Sequence, residues 1–182
     1  MARARYLPIL FQLFRERGYD GVSLAEIAAQ TGLGKASLYH YFPGGKAEML
    51  QAAIAHAEAW FEENIAAELA STGSAQQRFK AMCDRLNNLY ESGAQPCLLA
   101  TLASGGPVET FQAQIKSQLR ALVAAIAQVL IEEGVDSDVA HERAEDAVIS
   151  IQGALIVSRG TGDLAPFQRV MSQLPGRLCE GL

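Results

Sequence analysis

The sequence predicts an all-α fold: three short N-terminal helices, then a bundle of about six mostly longer ones. Three observations carry this expectation. Period-two alternation of apolar and polar residues is absent, while Ala, Leu, Glu and Gln are abundant. Serine, glycine and proline fall where helices start and stop. The 182 residues are 49% hydrophobic and 19% charged, the balance of a folded chain with enough apolar side chains for a core.

The first helix is expected over Leu7–Arg17, with Leu10, Phe11, Leu13 and Phe14 on its apolar side. Pro8 must sit in its first turn or kink it, and Gly18 fits its end. Ser23-Leu24-Ala25-Glu26 is a capping box: the Ser23 hydroxyl accepts from the Glu26 N–H, and the Glu26 carboxylate reaches back to the Ser23 N–H. Val22 and Ile27 flank it as a hydrophobic staple. That helix stops at Gly32. A third short helix runs from about Gly34 to Tyr41, and Pro43-Gly44-Gly45 breaks the chain. A long helix is expected from Lys46 to about Ala70. Beyond Ser71-Thr72-Gly73, helices are expected over Ala75–Ser92, Cys97–Ala103, Pro107–Glu133, Asp136–Ser158 and Leu164–Cys179, with Pro107 in a first turn. The expected division is a head of residues 1–47 and a body of residues 48–182.

The charge is uneven. Residues 1–50 hold six Lys/Arg against four Asp/Glu, a balance of +2; the remainder holds nine against sixteen, a balance of −7. A basic head on an acidic body suits a head that alone approaches a polyanion, although chance gives such asymmetry too. The longest uncharged apolar-rich run, Ala147 to Val157, is too short to span a bilayer. Met1 to Phe14 has neither the apolar core nor the cleavage site of a signal peptide. Cys83, Cys97 and Cys179 are odd in number and lack metal spacing, which reads as reduced thiols in a cytoplasm. No metal or other cofactor is expected.

Thr31–Phe42, TGLGKASLYHYF, mixes donors and aromatics in a way that neither a core helix nor an ordinary surface helix does. Two short helices joined by a glycine turn form a helix-turn-helix candidate. The motif wants a small residue at the helix crossing, a glycine four residues later, and an apolar anchor about ten residues after the small one. Ala28, Gly32 and Leu38 meet these demands, and Ile27, Leu33 and Phe42 add apolar contacts. An αα-hairpin with a polar outer face has the same spacing. On the helix-turn-helix reading, Lys35, Ala36 and Ser37 occupy the first turn of a recognition helix, the end that enters a major groove. Lys35 can donate to phosphate or to guanine O6/N7, Ser37 can donate or accept, and Ala36 can touch a thymine methyl. Tyr39 and Tyr41 can bond phosphate oxygens, and His40 can reach a base edge or a phosphate. Lys46 and the Gly44-Gly45 amides can meet an anion, and Ser23, at another helix start, can face phosphate. Gly44-Gly45-Lys46 lacks the upstream glycine and following Ser/Thr of a nucleotide-binding loop.

The run GYDGVSLAEIAAQTGLGKASLYHYFPGGKAEML resembles the N-terminal DNA-binding region of the TetR family of bacterial transcriptional regulators. Leu13-Phe14, Gly18-Tyr19, Ser23, Ile27-Ala28, Gly32, Lys35 to Tyr39, Tyr41-Phe42 and Lys46 carry the resemblance, which covers about Tyr6 to Ile54. Pro8, Phe14-Arg15-Glu16, Phe42 to Lys46 and the Pro96-Cys97-Leu98-Leu99 turn are similar to the LmrA/YxaF-like branch. The resemblance implies an all-helical homodimer that binds double-stranded DNA, with Ser23, Lys35, Ala36, Ser37, Tyr39, His40, Tyr41 and Lys46 at the contact. Three features depart from the family pattern. Gly34 replaces a Ser/Thr cap, Gly44-Gly45 adds a residue before Lys46, and Tyr41 stands where histidine is frequent, which suits a packing role.

In the body, Ala147–Val157 is apolar nearly all round. Val148, Ile151 and Leu155 form one stripe; Ile149, Gly153 and Ile156 form another. Two apolar faces need two partners, within one subunit or across two. The resemblance implies that the last two helices form the dimer interface, which selects Val148, Ile151, Leu155, Phe167, Val170, Met171 and Leu174. It also implies a small-molecule effector site, with Trp60, Phe61, Phe79, Met82, Leu86, Tyr90, Leu98, Leu102, Phe111, Ile115 and Gln118 as candidates. Aromatic and Met stripes at helical spacing serve equally as core. The function implied is a one-component regulator, most simply a repressor, and not an enzyme. Two alternatives stay open: a thiol-based redox regulator acting through Cys97, and a regulator controlled by a protein partner.

Overall fold

The structure is a computed structural model that describes residues 3–104 and 108–182. It is all-α: α1 (Leu7–Arg17), α2 (Leu24–Thr31), α3 (Lys35–Tyr41), α4 (Gly45–Phe61), α5 (Ala67–Leu69), α6 (Ala75–Leu89), α7 (Leu98–Ala103), α8 (Val108–Glu132), α9 (Ser137–Thr161) and α10 (Ala165–Leu178). Short 3₁₀ turns stand at Ala4–Tyr6 and Glu91–Gly93. The chain forms two compact units, one of residues 1–60 with 98–115, the other of residues 61–97 with 116–182. The packing boundary between these units falls near the end of α4. The reason is apolar: Met49, Leu50, Ala53 and Ile54 of α4 are wholly buried in the first unit.

In that unit α1 packs on α2 and α7, and α2 packs on α3. Leu10, Phe14, Ile27, Leu38 and Phe42 have essentially no exposed surface. Each such side chain stabilises by roughly 1.5–3 kcal/mol, enough to hold α2 and α3, which are too short to persist alone. Thr101 of α7 donates its hydroxyl to the Arg15 carbonyl at 3.0 Å.

The second unit is built on α6, α9 and α10 with the latter part of α8, whose Ile126, Ala127, Val129 and Leu130 are fully buried. α6 opens with a second capping box, Ser74 with Gln77. The expected extension of this helix to Ser92 fails. Glu91 and Ser92 take left-handed conformations (φ 48° and 58°), which turns the chain under α10. Gly93 follows at φ +104°, where an added Cβ would lie 2.7 Å from the Phe167 Cβ. Ser158, wholly buried, accepts from the Phe167 N–H at 3.1 Å and so satisfies the start of α10. Arg78, also buried, donates to the Leu69 carbonyl and pairs with Glu132 at 2.6 Å.

The single helix expected over Lys46–Ala70 is interrupted by a π-helical turn at Glu62–Ala66, which nothing in the local sequence signals. The expected first-turn role of Pro107 falls outside the described residues. Among the described residues no helix is long and apolar enough to cross a membrane.

Candidate nucleic-acid interface

The capping box at α2 forms as expected. The Glu26 N–H donates to Ser23 Oγ at 3.2 Å, and the Ser23 N–H donates to Glu26 Oε2 at 2.9 Å. The hydroxyl of Ser23 also donates to Glu26 Oε2, at 3.0 Å. These bonds, with the Ser23 backbone N–H contributing most, then its hydroxyl, then Arg17, hold the Glu26 carboxyl below its ordinary pKa against the opposing effect of burial. Ser23 is thus fully engaged in its own box, and a phosphate would have to displace that bonding.

α2 ends at Gly32, whose left-handed conformation (φ 69°, ψ 15°) makes the turn. No atom lies within 4 Å of a Cβ placed there, so backbone conformation alone, not crowding, calls for glycine. α3 then begins at Gly34 without a side-chain cap. Leu38 and Phe42 point inward with no exposed surface to spare, while Lys35, Ala36, Ser37, Tyr39 and His40 are all exposed. Five of the eight expected contact residues therefore share one free surface.

The other three sit differently. Tyr41 is half-buried between Tyr6 and His40, with ring centroids at 5.4 and 5.3 Å, which makes it a packing residue as well. Lys46 is also half-buried: its Nζ donates to the Val22 carbonyl at 3.0 Å and lies 4.3 Å from the Tyr19 ring centroid. The expected free amides at the start of α4 are taken. The Gly44 N–H donates to Glu48 Oε2 at 2.7 Å, and the Gly45 N–H to the Phe42 carbonyl at 2.9 Å. Glu48 thereby fills the position expected for an external anion and also pairs with Arg3 at 2.8 Å. Sequence reading missed Glu48; an acid four residues after Gly44 was the available signal.

The body candidates fare unevenly. Ile151, Leu155, Phe167, Met171 and Leu174, expected at a dimer interface, are at most 6% exposed within their own chain. They fill the second unit and have no surface to offer a partner; Val148 and Val170 are half-buried. The alternative stripe of α9 is the free one, with Ile149 and Ile156 at 66% and 67% exposure and Val157 beside them. Of the effector candidates, Trp60, Leu98, Leu102, Phe111 and Ile115 belong to the first unit, and Phe61, Phe79, Met82, Leu86, Tyr90 and Gln118 to the second. All are buried except Trp60, Phe61 and Gln118, which are half-buried. Of the thiols, Cys83 is buried and pushed up to about 12, mainly by that burial, then by Asp84, with Lys80 opposing. Cys97 is buried as well. Redox sensing asks for an accessible thiolate, and both of these thiols are buried.

A short helix with an exposed face of donors, set across a glycine turn from its partner, is the geometry of a helix-turn-helix. Comparison with known proteins narrows this. Residues 11–53 match the bacterial regulatory proteins of the TetR family, and residues 76–173 match the C-terminal domain of LmrA/YxaF-like transcriptional regulators. The HTH-type transcriptional regulator Rv0196 of Mycobacterium tuberculosis is 28% identical, over 89% of this chain and 86% of its own length. YxaF of Bacillus subtilis is 23% identical over 96% and 93%. A TetR transcriptional regulator from Legionella pneumophila superposes with a TM-score of 0.80 at 26% identity, covering 94% of each chain. One from Agrobacterium tumefaciens gives 0.83 at 24% identity, covering 96% of each. The chain belongs to the TetR family of transcriptional regulators, with a C-terminal domain of the LmrA/YxaF-like type. It is a DNA-binding transcription factor, not an enzyme.

Proposed function

We propose that the protein is a cytoplasmic repressor that binds a palindromic operator as a homodimer and is released by a small apolar or aromatic effector. The observation that carries the DNA half is the exposed row Lys35, Ala36, Ser37, Tyr39 and His40 above the buried anchors Leu38 and Phe42. The dimer half rests on the apolar strip Ile149, Ile156 and Val157. A strip of this kind on α9 needs a partner, and a second copy of the same strip is self-complementary about a two-fold axis. The effector candidates are those given above, with Trp60 as reporter because it is the chain's one tryptophan. Release needs no chemistry. An effector that binds one dimer geometry better than the other weakens operator binding, and DNA weakens effector binding by the same factor.

Footprinting on the protein's own promoter region tests the DNA half. A protected pseudo-palindrome with half-site centres about 34 Å apart is expected. If no sequence outcompetes random DNA, the reading fails. Thermal-shift screening with apolar and aromatic compounds tests the effector half: a binder should quench Trp60 and weaken operator affinity by roughly 5–150-fold.

A further inference from the structure

Residues 1–50 carry six cations, and four are already engaged by the head itself. Arg3 pairs with Glu48 at 2.8 Å and lies over the Phe42 ring. Arg17 pairs with Glu26. Arg15 is buried, its guanidinium 5.2 Å from the Phe11 ring centroid. Lys46 is held by the Val22 carbonyl and the Tyr19 face. Lys35 and Arg5 remain. Both are exposed, and among the described residues neither has a carboxylate within ion-pair distance.

Lys35 is already in the expected interface; Arg5 is not. Its position is fixed all the same. The Arg5 guanidinium lies 4.7 Å from the Tyr6 ring centroid, and one of its N–H groups donates to the Tyr6 hydroxyl. Tyr6 is buried and packs on Tyr41, and Tyr41 packs on His40 of the exposed α3 surface. A row of three rings thus runs from the recognition helix to Arg5. A guanidinium has five N–H donors in a planar fork that matches a phosphate. The bond to Tyr6 uses one donor and limits the rotamer freedom that binding would otherwise remove. Unpaired charge, exposure and adjacency to α3 coincide at this one residue.

We infer that Arg5 is a further DNA-contacting residue, gripping a backbone phosphate beside the groove that α3 enters. The inference rests on the reading of α3 as the recognition helix. Phosphate contacts position a protein without reading sequence, and each releases counterions. The test is the salt dependence of binding by the full-length protein, measured on an operator duplex and on a random duplex. Arg5→Ala and Arg5→Gln should each make the slope of log K against log salt shallower by about 0.9 per protomer, about 1.8 for the bound dimer, on both duplexes, with base preference unchanged. Arg5→Lys should keep the wild-type slope. Arg5→Gln retains a donor for Tyr6 and guards against a folding artefact, and its unfolding temperature should match wild type. An unchanged slope in both uncharged variants overturns the assignment. So does a loss confined to the operator with altered base preference, which would make Arg5 a base reader. Because the random duplex needs no operator, a wild type without sequence preference would sink the repressor reading and still decide the role of Arg5.

Discussion

Helices α3 and α9 pose the same problem and answer it with opposite chemistry. Each has one face buried by its own unit and one face left over. α3 is anchored by Leu38 and leaves Lys35, Ser37, Tyr39 and His40 free. α9 is anchored by Ile151, Ala154 and Leu155 and leaves Ile149, Ile156 and Val157 free. A spare face of donors and a cation suits a polyanion; a spare face of branched aliphatics suits another apolar surface. The anchors tell how the helix folds. The leftover face tells what it is for.

The sharpest way to break this comparison is to confuse the two faces deliberately. Phe167 was an interface candidate by sequence, yet it is wholly buried against Gly93 and edge-on to Tyr90 at 5.9 Å. Phe167→Ala should therefore destabilise the second unit by about 3–5 kcal/mol, read by urea unfolding, and should not yield a folded monomer. Ile149→Glu with Ile156→Glu should do the reverse. Stability should hold, while dimerisation weakens by about 2 kcal/mol or more, the cost of a hot spot; sedimentation equilibrium measures it. A double variant that stays dimeric would remove α9's free strip from the interface.

This contrast also marks what could be read from the sequence. The span of α1, the capping box at Ser23 and the Ala28, Gly32 and Leu38 spacing are local signals, and the helices they announce are present. The choice between α9's two stripes is not local. Ala147–Val157 is apolar nearly all round, so periodicity finds both faces but cannot rank them; only the packing of α10 on one decides. The partners of Lys46 were hidden for the same reason. Val22 lies 24 residues earlier, and nothing in the Gly-Gly-Lys run points to it. The Glu48 cap, four residues from its amide, was legible but unread.

Within the head, the next prediction separates two lysines that the sequence reading places together at the DNA contact. Lys35 is exposed and Lys46 is occupied. Lys35→Ala should weaken operator binding, by roughly 1–3 kcal/mol at the affected base if it makes a good base contact. Lys46→Ala should lower stability by about 0.5–1 kcal/mol through loss of the Tyr19 contact, with the salt slope of DNA binding unchanged. Competition binding and thermal unfolding on both variants check this. A shallower slope in Lys46→Ala would show that Lys46 leaves Val22 and Tyr19 for a phosphate in the complex.

The smallest expected effect concerns the support beneath α3. Glu26 caps α2, and its carboxyl is held below its ordinary pKa chiefly by the Ser23 backbone N–H, then by the Ser23 hydroxyl and Arg17. The sign follows from linkage. A carboxyl acidified in the native state lets the unfolded chain take up its proton first as pH falls. The stabilisation is complete above the ordinary carboxylate range and is lost as pH falls through the lower folded-state value. Glu26→Gln keeps an acceptor for the Ser23 N–H, so the box survives without its charge. The variant should therefore melt slightly below wild type at neutral pH, and the gap should close on acidification. Because Glu26 lies at the surface, the gap should also shrink in high salt. Thermal unfolding across pH, at low and high salt, reads both trends. If the gap is the same at neutral and acid pH, the charge of Glu26 contributes nothing to the cap, and its role is hydrogen bonding alone.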